Sequence, residues 1–341
     1  MITKYYALSV YLRQRFGERV QKIPLDAGLN CPNRDGAISK RGCIFCNPSG
    51  SGTGQASQGK SFEEQWRWWR ERLAKRYKAR RFLAYLQSFS NTYCSLEQFT
   101  VLLRQLSTLP QLNGICIGTR PDCLDADKLD LLQELPVPEI WLDLGLQSSN
   151  DRTLQRINRG HDAACFAAAC RAAADRGIKV CAHLIAGLPD ENTTDFLASI
   201  DFLNALPVHG VKFHNLYVCQ NTPLATWTAK GAYIPLQQSQ YCHWLGLAIA
   251  ALRPDIVLHR LNGDPAPGEL VAPLWAENKQ TVLNAIHTFF NENGIWQGQN
   301  WLSEPPAWFC QDHPPPQSIL APHTAEATAK ELLRGNTHYF D

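Results

Sequence analysis

The chain has no apolar run approaching the length of a bilayer span, which for a helix takes about 20 residues. Residues 1–17 are amphipathic and carry Arg13 and Arg15, without a long apolar core or a small-residue cleavage site. That excludes reading them as a secretory signal. Charge of one sign is also scarce: 33 Lys and Arg against 31 Asp and Glu leave a net charge of +2. The whole molecule is therefore no polycation, although a local basic face is allowed. Twelve cysteines are too few and too scattered to staple 341 residues, so a disulfide scaffold is excluded and a reducing, cytoplasmic compartment is expected. With 45% hydrophobic and 19% charged residues, the chain can bury a sizeable core as one large domain or two ordinary ones.

One absence is more specific. Cys31-Pro-Asn-Arg-Asp-Gly-Ala-Ile-Ser-Lys-Arg-Gly-Cys43-Ile-Phe-Cys46 places three thiols in one short loop, and the next cysteine, Cys94, is far along the chain. Pro32, Gly36 and Gly42 keep the stretch from continuing as helix or strand. Thiolates select zinc, copper(I) or iron–sulfur centres. A closed zinc site or an ordinary four-iron cluster takes four ligands. Three thiolates on a four-iron cube leave one iron open, and that iron can chelate S-adenosylmethionine (SAM) through its amino and carboxylate groups. The alternatives are a zinc site completed by a distant residue, or structural thiols without a metal.

Along the chain, residues 4–16 carry one apolar stripe (Tyr5, Leu8, Leu12) and read as a helix. Val20–Leu25 is a first strand running into the cysteine loop, and the Gly- and Ser-rich stretch Asn47–Lys60 a mobile connection. A helix is expected over 62–81, with Trp66, Trp69, Leu73 and Tyr77 on one face. Its other face carries Arg67, Arg70, Arg72, Lys75, Arg76, Lys78 and Arg80. That face is either simply solvated or a track for nucleic-acid phosphates, with Trp68 off the stripe and free to stack. Strand-like runs at 82–88, 114–119, 140–147, 178–185 and 211–218 then alternate with helices. With the first strand they make six βα units, an α/β fold of partial, open (β/α)6 TIM-like barrel type. Chemistry in such barrels collects on loops at the strands' C-terminal ends, where the cysteine loop falls. The expected organisation is a core over 1–225 and a small C-terminal extension over 226–341 packed on it. The extension reads as a helix over 236–252, a strand at Ile256–Leu261, a helix over 275–290, and a Pro-rich, then polar tail after Trp301.

Strand alternation sorts the polar candidates. Asp143, Gly145 and Gln147 share a face opposite Leu142, Leu144 and Leu146, so Asp143 and Gln147 point inward. Cys181 and His183 share a face of the next strand, and Lys212 and His214 of the one after. A strand histidine is a hydrogen-bonded core residue or a catalyst, and convergence from adjacent strands favours function. Ser90-Asn-Thr-Tyr93 follows a strand and is placed to bond the amino-acid end of a cofactor. Gly187 in Gly-Leu-Pro-Asp-Glu191 either lets a flat ligand such as adenine approach or serves a strand-to-helix turn. Arg120 and Asp122 form a local ion pair or contact ligand, and Arg159 suits a carboxylate. Cys116 and Cys181 read as small hydrophobes. Cys94, Cys123, Cys165, Cys170, Cys219, Cys242 and Cys310 lack ligand spacing.

Together Cys31…Cys43-Ile-Phe-Cys46, Ser90-Asn-Thr-Tyr93, Thr119-Arg-Pro-Asp122, Leu144-Gly-Leu-Gln-Ser148, Asn158-Arg-Gly-His161 and Gly187-Leu-Pro189 resemble the radical SAM superfamily. The resemblance is strongest to its YhcC/YtqA-type branch, related to the catalytic subunit of the elongator complex. The first cysteine gap is longer than the superfamily's commonest spacing and matches the elongator-like branch. No room remains for an appended acetyltransferase domain, so acetyl-CoA chemistry is not implied. The resemblance implies that Cys31, Cys43 and Cys46 hold a [4Fe–4S] cluster whose open iron chelates SAM. An electron from a flavodoxin- or ferredoxin-like donor would cleave SAM to a 5′-deoxyadenosyl radical, which takes hydrogen from substrate. Ser90, Asp143, Gln147, Arg159 and Gly187 are the implied SAM-binding residues, and Lys212 and His214 face substrate. The branch points to wobble-uridine side chains of tRNA. Competing expectations are a radical SAM enzyme acting on a small metabolite or protein, and a non-enzymatic zinc-binding RNA adaptor. Arg260 in His259-Arg-Leu-Asn-Gly-Asp264, with the stretch Trp275–Ile286, matches a C-terminal signature of the branch whose role the sequence does not give.

Overall fold

The computed structural model describes residues 4–47, 50 and 58–309. Much of the Asn47–Lys60 connection and the tail beyond 309, Cys310 included, lie outside the described residues. The chain opens with α1 (Leu8–Phe16) and β1 (Val20–Leu25) and, after the cysteine loop, continues with α2 (Phe62–Tyr77), β2 (Arg81–Leu86), α3 (Leu96–Ser107) and β3 (Leu112–Thr119). Next come α4 (Ala126–Gln133), β4 (Ile140–Gln147), α5 (Asp151–Arg156), α6 (Ala163–Ala174), β5 (Lys179–Ala186), α7 (Thr193–Asn204) and β6 (Gly210–Asn215). The remainder is β7 (Val218–Cys219), α8 (Pro223–Ala229), α9 (Gln238–Ala251), β8 (Val257–Arg260), β9 (Leu270–Ala272) and α10 (Lys279–Glu292).

Seven parallel strands form one sheet in the order β1-β2-β3-β4-β5-β6-β8, and β7 pairs antiparallel with β9. The sheet thus has one strand more than six βα units provide. The seventh, β8, comes from the stretch after residue 225 and pairs with β6 through Gly210↔Val257 and Val211↔Leu258. Ala7 bridges Leu258 on the far side of β8. The sheet curls into an open barrel, because side chains of its outermost strands meet inside: Lys22 Nζ on β1 lies 3.3 Å from His259 Nδ1 on β8.

Alternation along the strands separates two cores. Leu142, Leu144, Leu146, Val180, Ala182, Leu184, Val211 and Phe213 face outward into a layer of helix side chains such as Phe99, Phe166, Phe196 and Tyr241. The barrel's N-terminal end is plugged by Tyr6, Tyr11, Leu83, Trp141 and Val257. Buried Glu139 fastens this plug: it accepts from Tyr11 Oη at 2.5 Å and Trp141 Nε1 at 2.7 Å, and pairs with Lys179 at 3.2 Å. The helices start where side-chain caps replace missing backbone partners. Ser61 with Glu64, Ser95 with Gln98, and Asn192 with Asp195 form reciprocal capping boxes. Helix α2 ends at Tyr77, four residues short of the expected end, where its C-cap Lys78 turns left-handed with φ 54°. Among the described residues, the inward-facing polar side chains thus lie beyond this plug, toward the mouth at the strands' C-terminal end.

Candidate metal centre

The cysteine loop crosses this mouth as a succession of turns. Arg34 and Asp35 donate backbone N–H bonds to Cys31 O at 2.9 and 3.2 Å, and Cys46 N donates to Cys43 O at 3.1 Å. The segment after α5 grips the loop. Asn158, at φ 54°, donates from Nδ2 to Gly42 O (2.7 Å) and Ser39 Oγ (3.0 Å), while its carbonyl accepts from Asn33 Nδ2 at 2.6 Å. Ile44 N donates to Ile157 O at 3.1 Å. Gly160, at φ 81°, admits Ile38, whose Cγ2 would lie 2.9 Å from a Cβ there. The Asn-Arg-Gly-His motif is thus the cradle of the cysteine loop.

Arg159 links that cradle to the sheet. Its Nη2 donates to Gly145 O at 2.8 Å, Nη1 lies 3.8 Å from Cys43 Sγ, and Nε donates to His161 Nε2 at 2.8 Å. Asn33 Nδ2 lies 3.6 Å from the same sulfur. A hydrogen bond from the Cys46 thiol, with the Arg159 and Arg120 cations working against burial, holds the Cys43 thiol down to about 5. Cys46, which keeps the shared proton, is pushed well above its ordinary value. Arg120 forms a two-armed ion pair with Asp122 at 2.9 and 2.7 Å. This is the local pairing expected, and the arginine's charge also acts on Cys31 and Cys43. Three thiols with the Arg159 and Arg120 cations beside Cys43 make a donor set suited to an anionic thiolate-held metal centre.

Beside the loop, polar atoms are buried without hydrogen-bond partners: Ser90 Oγ, Asn91 Oδ1, Gln147 Oε1, Arg120 Nη1 and Asn33 Oδ1. Leaving such atoms bare costs about 1–3 kcal/mol each, so their concentration at one mouth marks a place for a polar ligand. Ser90 is buried where the loop after β2 is locked by its neighbours. Asn91 Nδ2 donates to Gly118 O at 2.8 Å, and the Thr92 and Thr119 hydroxyls are 2.7 Å apart. Gln147 ends β4 at φ 76°, next to a register shift against β5, and would collide with any Cβ at Gly145. A cleft of about 470 Å³ lined by Thr92, Tyr93, Asp122, Asp125 and Lys128 adjoins these loops.

Deeper in the barrel, Asp143 pairs with Lys212, which also donates to Tyr85 Oη at 2.9 Å. Lys212 and Lys22 hold the Asp143 carboxyl far below the usual carboxylate range against burial, and Lys212 stays protonated through Asp143. Asp143 and Lys212 therefore sit together as an interior ion pair. His183 and His214 lie at the mouth with ring centroids 4.2 Å apart. Burial and the Arg260 cation keep both neutral. At Gly187, φ is 84°, the carbonyl accepts from Tyr233 Oη at 2.8 Å, and a Cβ would meet Leu236 at 2.9 Å. The close approach at Gly187 is therefore to Leu236, at the strand-to-helix turn.

Sequence reasoning gave no role to Asn33 or Asn158, although both lie in motifs it singled out, and it missed the interior pair Tyr85 and Lys22. Period-two reading of β1 and β2 would have found the last two. On α2 the stripe packs as expected, with Trp66 buried and Trp69, Leu73 and Tyr77 against the core. Trp68 is exposed, but Arg72 lies 4.0 Å over its ring, so one face is already covered.

The radical SAM superfamily domain matches residues 36–203, and the radical SAM C-terminal domain matches residues 208–292. The chain belongs to the radical SAM superfamily. It is similar to protein YhcC of Escherichia coli K12, 37% identical over 296 residues, covering 85% of this chain and 94% of that one. YtqA of Bacillus subtilis is 34% identical, covering 87% and 92%. A tRNA uridine(34) acetyltransferase of Dehalococcoides mccartyi is 29% identical over 154 residues, covering 44% of this chain and 33% of that one. Among solved structures, archaeal Methanocaldococcus infernus Elp3 superposes with a TM-score of 0.65 at 16% identity, covering 82% of this chain and 64% of that one, which shows the shared fold. Membership brings the family's cofactors, a [4Fe–4S] cluster and SAM. Among the described residues, no helix is long and apolar enough to cross a membrane.

Proposed function

We propose that this chain is an enzyme that cleaves SAM reductively at a [4Fe–4S] cluster held by Cys31, Cys43 and Cys46, and that it modifies a wobble-uridine side chain of tRNA. The observation that carries the first half is the gripped three-thiol loop with Arg159 and Arg120 beside Cys43. When bound, the cluster and SAM supply a 5′-deoxyadenosyl radical for hydrogen abstraction. The chain's own residues bind and shield. Ser90, Gln147 and Arg159 offer the polar ends nearest the loop to SAM. Asp143, paired with Lys212, keeps the floor of the mouth polar. His214 faces the space a substrate enters. The core over 1–225 carries these residues, and the extension over 226–341 closes the mouth's far side through the loop after β8. A flavodoxin- or ferredoxin-like protein is the proposed electron donor, and the compartment is the cytoplasm.

The tRNA half rests on two supports. One is the similarity to a tRNA uridine(34) acetyltransferase over about half the chain. The other is the solvent-facing row Arg67, Arg72, Lys75, Arg76, Lys78 and Arg80 on and just beyond α2. A protein that neutralises phosphates loses affinity steeply as salt rises. Binding of tRNA should fall with salt, and the triple change Arg72→Gln, Lys75→Gln, Arg76→Gln should flatten that slope. Nucleosides of tRNA from cells with and without the gene should differ at the wobble position. Salt-indifferent binding and identical nucleosides would instead favour a small-metabolite or protein substrate.

A further inference from the structure

The loop after β8 carries the unassigned signature Arg260-Leu-Asn-Gly263, and its polar atoms are oriented by one backbone unit. Asn215, ending β6, accepts from Gly263 N through Oδ1 at 3.0 Å. Asn262 donates from Nδ2 to Gly263 O at 3.3 Å. Each amide is thereby fixed in orientation, because a backbone N–H can only donate and a carbonyl can only accept. The ends left over are Asn215 Nδ2, a donor, and Asn262 Oδ1, an acceptor. Both are buried without a partner, as is the donor Arg260 Nε. Asn215 and Asn262 are 2% and 1% exposed. Gly263 is glycine because a Cβ would strike the His214 ring and lie 3.0 Å from Tyr217. His214 and Tyr217 are themselves half-buried, so the pair lies beside the mouth rather than in the outer core.

We infer that Asn215, Asn262 and Arg260 form a recognition subsite for the imide edge of a uracil-type base, an inference that rests on the RNA reading above. Two donors and one acceptor complement two carbonyl oxygens flanking an N–H. Cytosine, adenine and guanine do not present that set. The flat, neutral rings of His183 and His214 lie next to it.

The test uses the reconstituted holoenzyme with SAM and fluorescent RNA stem-loops whose loop holds one variable base: uridine, N3-methyluridine or cytidine. Anisotropy should show uridine bound about tenfold more tightly than either alternative, the scale of one hydrogen bond. Asn215→Asp keeps the acceptor for Gly263 N and removes the free donor, so it should erase most of that preference. Equal binding of the three loops by the unaltered enzyme, or an undiminished preference in folded Asn215→Asp, overturns the subsite while leaving RNA binding in place. Failure to bind any loop even at low salt overturns the RNA reading itself, and the subsite with it. The comparison of the three bases needs no variant, so a misfolded Asn215→Asp would not blunt it.

Discussion

At the scale of single residues, the interior ion pair shows how alternation and geometry divide the work. Period two placed Asp143 and Lys212 on inward faces correctly, because the leucines between the inward residues of β4 can only suit the helix layer. It could not show that the two meet, since their strands are separated by β5 and only the curl closes the gap. Asp143→Asn should cost about 3 kcal/mol, because it leaves the Lys212 ammonium buried against neutral partners. Urea unfolding would read this directly. Adding Lys212→Met should restore most of the loss, since the second change removes the stranded charge. A single-variant cost of well under 1 kcal/mol would mean that the pair contributes nothing to stability.

At the scale of elements, the cysteine loop and its cradle are one unit built from distant sequence. The thiol spacing was legible because cysteine, glycine and proline are few and their chemistry is specific. The cradle was not, because hydrogen bonds from Asn158 and Asn33 across more than a hundred positions leave no periodic trace. β8 was legible as a strand over Ile256–Leu261, but its place beside β6 in the same sheet was not, because it depends on the chain passing through α9 first. Gly160→Ala introduces a Cβ at φ 81° and 2.9 Å from Ile38. Iron and sulfide retained after anaerobic reconstitution should fall at least severalfold, with the far-ultraviolet circular dichroism unchanged. Retention equal to the unaltered protein would detach the cradle from the metal centre.

At the scale of the whole molecule, acid should unfold this protein from an unusually mild pH. Burial holds His209 down to about 4 and His161 to about 3, and also lowers His183, His214 and His259 well below the ordinary histidine range. In the unfolded chain each returns to about 6.5. Between these values the unfolded state binds more protons, so stability rises with pH and is lost as pH falls from about 6.5 toward 4. Asp143, depressed in the fold, adds its own loss below about 4. The melting temperature should drop between pH 7 and pH 5, before carboxylates titrate, and His209→Gln should shallow the slope. A melting temperature that is flat down to pH 5 would contradict the buried neutral histidines. The central claim is tested most directly by anaerobic reconstitution with iron and sulfide, followed by strong reduction in the presence of SAM. The account predicts a brown protein that makes 5′-deoxyadenosine, and a Cys43→Ala variant that does not. A colourless protein with stoichiometric zinc that leaves SAM intact would contradict it and favour the zinc-binding adaptor.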